Sequence, residues 1–203
     1  MLKEILYNAL KWRNSVVAQI SDRKITQYPS THMHDYDRKQ SAQLMRVNHI
    51  GEVCAQALYI GQILTARSDR LKTSLSHAKQ EEIDHLVWCS HALNRLHANP
   101  SLMISTWFAG AFILSLGFSI FGDEYNAIFL EETELQVAQH LEKHLTIMPW
   151  SDYISLGILK TMLEEELDHA KKANAFTSIR MHPALKQFMR LNSKVMTHLG
   201  LYI

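Results

Sequence analysis

Apolar residues recur every three or four positions over most of this chain, which is the spacing that places them on one face of an α-helix. The periodicity is clearest from Ala42 to Ala66, where Leu44, Val47 and Ile50 open the series. Comparable patterns cover three further stretches, at residues 73–96, 123–145 and 151–176. The pattern therefore predicts an all-α protein with four long helices.

Shorter elements flank these four helices. Residues 2–20 have the pattern of a short amphipathic helix, whereas residues 26–40 are polar, contain Pro29 and predict a loop. Pro183 starts a last helix, which is amphipathic and basic. A chain of 203 residues has the length of one domain that can bury a full core. We therefore expect a single domain, with an N-terminal helix and loop (1–40), a bundle (41–176) and a basic C-terminal helix (177–203).

Two copies of one short motif lie in the second and fourth long helices. Each copy is Glu-x-x-His, formed by Glu82 with His85 and by Glu166 with His169. Residues three apart lie on one face of a helix, so each pair can bind one metal ion. The first and third long helices each contribute one further glutamate, Glu52 and Glu134. Four carboxylates and two imidazoles form the ligand set of ferritin-like carboxylate proteins that bind two iron or manganese ions.

The spacing of these residues agrees with that architecture. Thirty residues separate Glu52 from Glu82, and 32 separate Glu134 from Glu166, which suits two antiparallel hairpins whose ligands meet at one level. The 49 residues between His85 and Glu134 are enough for a long crossover between the hairpins. Oxygen ligands with two imidazoles favour iron or manganese over structural zinc. We therefore expect a ferritin-like four-helix bundle with a long apolar crossover helix, and Glu52, Glu82, His85, Glu134, Glu166 and His169 as the metal ligands.

The crossover is the most apolar part of the chain. Residues 96–122 contain no Asp, Glu, Lys or Arg, and a helix over residues 102–121 would reach about 30 Å, enough to span a bilayer core. Three interpretations are open: a membrane span, a buried crossover helix, or a helix in the membrane interface. A span conflicts with a bundle that needs the helices on both sides to lie together. We favour partial insertion, which would let the protein take its substrate from lipid.

Charge and cysteine content narrow the function classes. The net charge is +1, but residues 171–203 carry six bases and no acid, which suits either solvated helix ends or contact with an anionic membrane surface. Basic stretches interleaved with aromatic residues are absent, so nucleic acid is not an expected partner. Two cysteines, Cys54 and Cys89, cannot form a disulfide framework, and we expect reduced thiols.

Other polar residues near the ligands are candidates for supporting roles. Asp84 and Asp168 are expected either to accept the spare N–H of the histidine in the sister motif or to lie on the surface. Neighbouring Glu81, Glu164 and Glu165 are expected to be solvated or to contact a ligand. Four candidates have two interpretations each: His49 and His140 contact the ligands or are structural, and Tyr59 and Tyr125 lie near the site or pack in the core.

The motifs resemble a known family. Residues 44–56 (LMRVNHIGEVCAQ), 81–86 (EEIDHL), 132–134 (ETE) and 165–170 (EELDHA) are similar to those of the demethoxyubiquinone hydroxylases of ubiquinone biosynthesis. The resemblance covers residues 41–176 and implies that the same six residues bind two iron ions per chain. It also implies a mono-oxygenase that adds a hydroxyl group from O₂ to the ring of a polyprenyl methoxy-methyl-benzoquinol, with the metal centre as the only catalytic group.

Partners and location follow from the same resemblance. The reductant would be the quinol or NADH, and the protein would sit peripherally on the cytoplasmic face of a bacterial cell membrane, as a homo-oligomer or in a complex with other proteins of the pathway. We expect the polyprenyl tail to run along the crossover helix, against Trp107, Phe108 and Phe112. Two alternatives are a ferritin-like ferroxidase or peroxidase, and a non-catalytic prenyl-quinone binding protein.

Overall fold

A computed structural model describes residues 33–201, and this part of the chain is built from α-helices without a strand. The predicted helix over residues 2–20 lies outside the described residues. The six helices, in chain order, are α1 (Asp35–Thr65), α2 (Asp69–Arg95), α3 (Ile104–Ser119), α4 (Asp123–Ile147), α5 (Tyr153–Asn174) and α6 (Pro183–Gly200). The predicted all-α class is confirmed.

Helices α1, α2, α4 and α5 form the ferritin-like bundle. Residues 66–68 join α1 to α2, and residues 148–152 join α4 to α5, and connections this short make each pair an antiparallel hairpin. Helix α3 crosses between the two hairpins and packs on α1. The main apolar cluster of the bundle includes Met45, Trp88, Leu93, Leu141 and Leu159, all of which are buried. The predicted bundle with a crossover helix is confirmed.

Two helix boundaries differ from the sequence-based expectation. Helix α1 begins at Asp35, so the predicted loop is wrong for residues 35–40. Asp35 and Asp37 lie in its first turn, where the partial positive charge of the helix terminus favours acids. Helix α5 begins at Tyr153 and not at residue 151, and its cap is Asp152, whose Oδ1 accepts a hydrogen bond from Ser155 N at 3.2 Å. Ser151 Oγ instead donates to Asp37 Oδ2 at 2.8 Å and ties the α4–α5 turn to α1.

Contacts between the hairpins define how α1 and α4 are aligned. Near one end, Gln62 and Asn126 exchange hydrogen bonds between side-chain amide and backbone carbonyl, at 3.1 and 2.9 Å. Near the other end, Gln40 Nε2 donates to Ile147 O at 2.7 Å. In an antiparallel pair the residue number rises along one helix as it falls along the other, so the sum of two paired numbers stays nearly constant. Here the sums are 188 and 187, and the two helices therefore run antiparallel. Glu52 on α1 is therefore level with about residue 136 on α4.

The crossover helix α3 has one buried face and one exposed face. Its buried face carries Phe108, Ala111, Ser115 and Ser119, and Ser115 Oγ donates to Leu58 O of α1 at 2.6 Å. The approach to α1 is so close that a Cβ added at Gly61 would lie 2.6 Å from Ser115 Oγ. With 16 residues, α3 is shorter than the 20-residue helix predicted, and none of the described helices is long and apolar enough to cross a membrane.

Candidate metal centre

The six residues chosen from motif spacing meet in the middle of the bundle. Helix α1 contributes Glu52, α4 contributes Glu134, and α2 and α5 contribute the two Glu-x-x-His motifs. All six side chains are buried, with at most 3% of their surface exposed. Their potential ligand atoms form two groups, in each of which all atoms lie within 4.8 Å of one another. The groups are Glu52, Glu82, His85 and Glu166, and Glu82, Glu134, Glu166 and His169.

Two carboxylates are common to both groups. His85 Nδ1 lies 3.2 Å from Glu82 Oε2 and 3.4 Å from Glu166 Oε1. His169 Nδ1 lies 2.9 Å from Glu82 Oε1 and 3.6 Å from Glu166 Oε2. Each of these two glutamates thus presents one oxygen to each histidine. Glu82 and Glu166 therefore lie between the two histidines, where they could be shared by two neighbouring cations.

The electrostatics of the cluster call for cations. Burial, reinforced by the charge of Glu82, raises the pKa of Glu52 well above its usual range, and burial with the charge of Glu166 does the same for the pKa of Glu134. Four ionised carboxylates in so small a buried volume repel one another unless positive charge compensates them. Two inward carboxylate atoms, Glu52 Oε2 and Glu166 Oε2, also lack a hydrogen-bond partner among the described residues. Buried carboxylate oxygens left open in this way, beside two imidazole nitrogens, fit a pair of divalent metal ions.

The outward nitrogens of both histidines contact glutamates of the opposite hairpin. His85 Nε2 lies 2.7 Å from Glu165 Oε2, and His169 Nε2 lies 2.8 Å from Glu81 Oε2. This contact was one of the two alternatives for Asp84 and Asp168, and Glu165 and Glu81 make it instead. The Asp168 carboxylate, which is 53% exposed, instead pairs with Lys172 Nζ at 2.7 Å on the surface. The reason is helix geometry, because the residue just before each ligand glutamate leans toward the neighbouring helix.

Tyr59 lies beside the site, which was one of the two interpretations that the sequence left open for it. Its hydroxyl donates to Glu134 Oε1 at 2.7 Å, and its side chain is fully buried. A signal was available, because Tyr59 follows Glu52 by seven residues and two helical turns return to the same face. Tyr125, in contrast, is 51% exposed and lies on the surface.

His49 is buried and His140 half-buried, and neither belongs to the two groups of potential ligand atoms. Desolvation lowers the pKa of each to about 4, so both imidazoles are neutral at pH 7. The His140 ring packs against His144, with ring centroids 3.9 Å apart. A supporting role for either histidine stays a prediction.

An apolar cavity adjoins the cluster and includes Glu52 in its wall. Its volume is about 280 Å³, and α1, α3, α4 and α6 all contribute to the lining. Trp107 lines this cavity, as expected for a substrate contact. Phe108 and Phe112 were expected to do the same, but they pack against α1 and α2 in a cluster that contains Val53 and Leu86.

The C-terminal helix α6 is the part of the cavity that sequence reasoning missed. It supplies Phe188, Met189, Val195 and Met196 to the lining. A half-buried ion pair helps to hold the helix in place, because Lys186 Nζ lies 2.6 Å from Glu132 Oε2 on α4. The amphipathic pattern after Pro183 showed that one face of this helix would be covered, but not which surface would cover it.

Comparisons with known proteins are consistent with this site. Residues 39–200 match the family model described as ubiquinone biosynthesis protein COQ7. A protein of Nitrosospira multiformis named 3-demethoxyubiquinol 3-hydroxylase is 40% identical over 178 residues, which cover 88% of this chain and 86% of that protein. Proteins of the same name from Ralstonia pickettii and Xylella fastidiosa are 43% and 46% identical. Their matches cover 83% and 72% of this chain, and 77% and 68% of their own lengths.

Proposed function

Because the chain belongs to the ubiquinone biosynthesis protein COQ7 family, we propose that it is an O₂-dependent 3-demethoxyubiquinol 3-hydroxylase. Its substrate is then a polyprenyl methoxy-methyl-benzoquinol, and its product is demethylubiquinol. The observation that carries this proposal is the position of Glu52, which belongs both to the buried cluster and to the wall of the apolar cavity. A metal centre that activates O₂ acts on a molecule held beside it, and an apolar cavity suits a prenylated ring.

We propose that the cluster holds two iron ions. Glu52 and His85 bind one ion, Glu134 and His169 bind the other, and Glu82 and Glu166 bridge them. The donor set supports iron or manganese, since four carboxylates and two imidazoles match neither a thiolate-rich nor a closed tetrahedral site. When bound, two ferrous ions supply the electrons that activate O₂, so that one oxygen atom enters the ring and the other leaves as water. The quinol or NADH then restores the reduced centre.

The protein itself contributes geometry and the exclusion of water. Glu165 and Glu81 orient the two ligand histidines from outside, and the Tyr59 hydroxyl orients Glu134. Apolar side chains from α3 and α6 exclude water from the side of the cluster on which the substrate ring binds. Holding the ring next to Glu52 turns the reaction between the ring and activated O₂ into a reaction between positioned groups.

We also propose that the cavity takes its substrate from a membrane surface, with the protein bound peripherally at the cytoplasmic face of the cell membrane. Support comes from exposed apolar residues on the two helices that flank the cavity: Ile113 and Leu114 on α3, and Phe188, Leu191 and Val195 on α6. Helix α6 adds Arg190 and Lys194 and has no acidic residue. An apolar face with basic neighbours is typical of helices that bind anionic lipid.

Quinone profiling of a strain that lacks this protein tests the activity. We expect the demethoxy quinone to accumulate, and the wild-type gene to restore ubiquinone. The Glu166→Ala variant removes a bridging carboxylate and should restore none, whereas Glu164→Ala changes an exposed residue of the same helix and should restore the wild-type level. Accumulation of a different intermediate would falsify the pathway assignment.

The same strains separate the alternatives. A non-catalytic prenyl-quinone binding protein would complement with Glu166→Ala, because quinone binding does not need the bridge. A ferroxidase or peroxidase would leave the quinone profile of the deletion strain unchanged. Purified protein loaded with ferrous iron should convert the demethoxy quinol to its hydroxylated product under ¹⁸O₂, with one labelled atom in the ring.

A further inference from the structure

The cavity wall contains polar side chains of two kinds. Those of the first kind have their hydrogen bonds satisfied within their own helix, with donor–acceptor distances of 2.8–3.1 Å; these are Thr133, Gln136, Asn192 and Thr197. Asn48 and His140 are of the second kind. Each carries a buried polar atom that finds no hydrogen-bond partner among the described residues.

Asn48 is the clearer case, because only 3% of its surface is exposed. Its Oδ1 has no partner, and its Nδ2 reaches only the Met45 Sδ atom at 3.6 Å, which is a weak acceptor. Buried side-chain amides are almost always satisfied in folded proteins, since leaving one open destabilises the fold. An open amide in the wall of a ligand cavity therefore indicates a group that the ligand satisfies.

His140 presents the matching group from the other side. Its Nε2 atom is buried without a partner, and its ring is held against His144. Burial, with a smaller effect from Lys143, keeps its pKa at about 4, so the neutral ring offers one donor and one acceptor nitrogen. A neutral imidazole and an amide together can bind either a hydroxyl or a carbonyl oxygen.

The alignment of α1 and α4 places these two residues opposite each other. The contacts between Gln62 and Asn126 and between Gln40 and Ile147 pair residues whose numbers add to 187 or 188. By that rule Asn48 is level with residues 139 and 140. Asn48 also precedes Glu52 by four residues, which is about 6 Å, or one helical turn, along the cavity.

We propose that Asn48 and His140 together bind one oxygen substituent of the substrate's ring and so determine which ring carbon faces the metal ligands at Glu52. This inference rests on the proposed function, in which a benzoquinol ring enters this cavity. The ligand class is a ring with oxygen substituents in either redox state, a quinol or a quinone. The side-chain hydrogen bonds of Thr133, Gln136, Asn192 and Thr197 are made within the protein, so Asn48 and His140 are neutral side chains of the described wall with a polar atom left open for a ring oxygen.

The test compares two probes of equal tail length on the iron-loaded full chain. One probe is a methoxy-methyl-benzoquinone with a geranyl tail, and the other is geranylbenzene, whose ring has no oxygen. Asn48→Leu and His140→Phe remove the polar atoms, and phenylalanine keeps the stacking on His144. We expect each change to weaken quinone binding by about fivefold to tenfold and geranylbenzene binding by less than about twofold. Gln139→Leu, at an exposed residue beside His140 that does not line the cavity, should alter neither affinity beyond about twofold.

A second readout separates binding from folding. Because each substitution replaces an unsatisfied polar group by an apolar one of similar shape, the variants should unfold at a temperature equal to or above that of the wild type. His140→Gln should recover part of the quinone affinity that His140→Phe loses. Equal effects on both probes, or no effect on either, overturn the inference, and so does a lowered unfolding temperature with an unchanged ratio of the two affinities.

A failure of the proposed function gives a different result from a failure of this inference. If wild-type protein with two irons forms no hydroxylated quinol, the activity is wrong whatever the probes show. If it forms product, and both variants form it with unchanged KM and an unchanged site of hydroxylation, the activity stands and the role of Asn48 and His140 falls.

Discussion

His85 of the first hairpin and Glu165 of the second lie 2.7 Å apart, measured from Nε2 to Oε2. The same contact recurs in the opposite direction between His169 and Glu81, at 2.8 Å. Each of these histidines therefore turns one nitrogen toward the buried carboxylates and the other toward a carboxylate of the opposite hairpin. The same two contacts join α2 to α5 and fix the direction of both imidazole rings.

Removal of the Glu165 carboxylate should weaken metal binding. We expect Glu165→Ala to lower the affinity for ferrous iron by about 10-fold to 100-fold, because His85 loses the partner that fixes its tautomer and ring direction. Glu165→Gln keeps an acceptor and should lose less. Competition with a coloured chelator under anaerobic conditions measures the affinity.

Glu164→Ala is the matched control, since Glu164 is exposed on the same helix. Its affinity should equal that of the wild type. If Glu165→Ala also binds iron like the wild type, the contact seen at 2.7 Å has no part in metal binding.

Motif spacing was sufficient to predict which six side chains meet inside the bundle, and the reason is local. Glu82 with His85 and Glu166 with His169 share a helix face whatever the rest of the fold does. The partners of the outer nitrogens are different, because their identity depends on how α2 leans on α5. From the sequence alone, Asp84 and Asp168 were as plausible as Glu81 and Glu165.

The lining of the cavity also could be predicted only in part from the sequence. An apolar crossover was predictable from residues 96–122, but which of its faces meets α1 depends on small residues such as Ser115 and Gly61 packing closely. That packing directs Phe108 into the interior and leaves Trp107 to the cavity. The contribution of α6 depends on one long-range ion pair, Lys186 with Glu132, which no periodicity reveals.

Metal stoichiometry should differ between bridging and terminal ligands. If Glu166 bridges two ions and Glu52 contacts one, then Glu166→Ala should reduce the iron content from about two to near zero, and Glu52→Ala to about one. Elemental analysis of protein reconstituted with ferrous iron and desalted gives both numbers. Equal loss in the two variants would contradict the bridging assignment.

Close packing of α3 on α1 should make Gly61 intolerant of a side chain. An added Cβ would lie 2.6 Å from Ser115 Oγ and 2.9 Å from Ser115 Cβ. We expect Gly61→Ala to lower the free energy of unfolding by about 1–2 kcal/mol, since overpacking exceeds the gain in helix propensity. Gly117→Ala on α3 meets nothing within 4 Å and should be neutral or stabilising by up to about 1 kcal/mol. Urea unfolding compares the two variants, and equal stability would show that α3 can shift freely on α1.

Acid should destabilise the protein in part through His144. Burial, then His140 and Lys143, lower its pKa to about 3, whereas the unfolded value is 6.5. Below about pH 6.5 only the unfolded state takes up this proton, so the free energy of unfolding falls as the pH falls. The histidine thus adds about one proton to the difference in proton uptake between the two states. His144→Phe should therefore reduce the slope of the unfolding free energy against pH by roughly 1.4 kcal/mol per pH unit between about pH 6 and pH 4.

Urea unfolding at several pH values measures this slope for the variant and the wild type. The difference between them cancels the titration of all other groups. Thr146→Val is the control, because Thr146 is an exposed residue of the same helix without an ionisable group, and its replacement should leave the slope unchanged. An unchanged slope in His144→Phe would mean that His144 is protonated in the folded protein.

Membrane binding should depend on the exposed faces of α3 and α6. Ile113 is 67% exposed and Leu191 60%, and neither lines the cavity, so both can be changed without altering it. We expect the double variant Ile113→Ser and Leu191→Ser to bind vesicles at least about tenfold more weakly, since burial of each side chain in lipid contributes about 1 kcal/mol or more. Cosedimentation with vesicles of neutral lipid, and with vesicles that contain 30% anionic lipid, measures the binding.

Wild-type protein should prefer the anionic vesicles and lose that preference at high salt, because Arg190 and Lys194 are screened. Leu167→Ser changes a residue of similar exposure, 45%, on α5 and should bind like the wild type. If both variants bind equally well, the membrane contacts a different face of the protein.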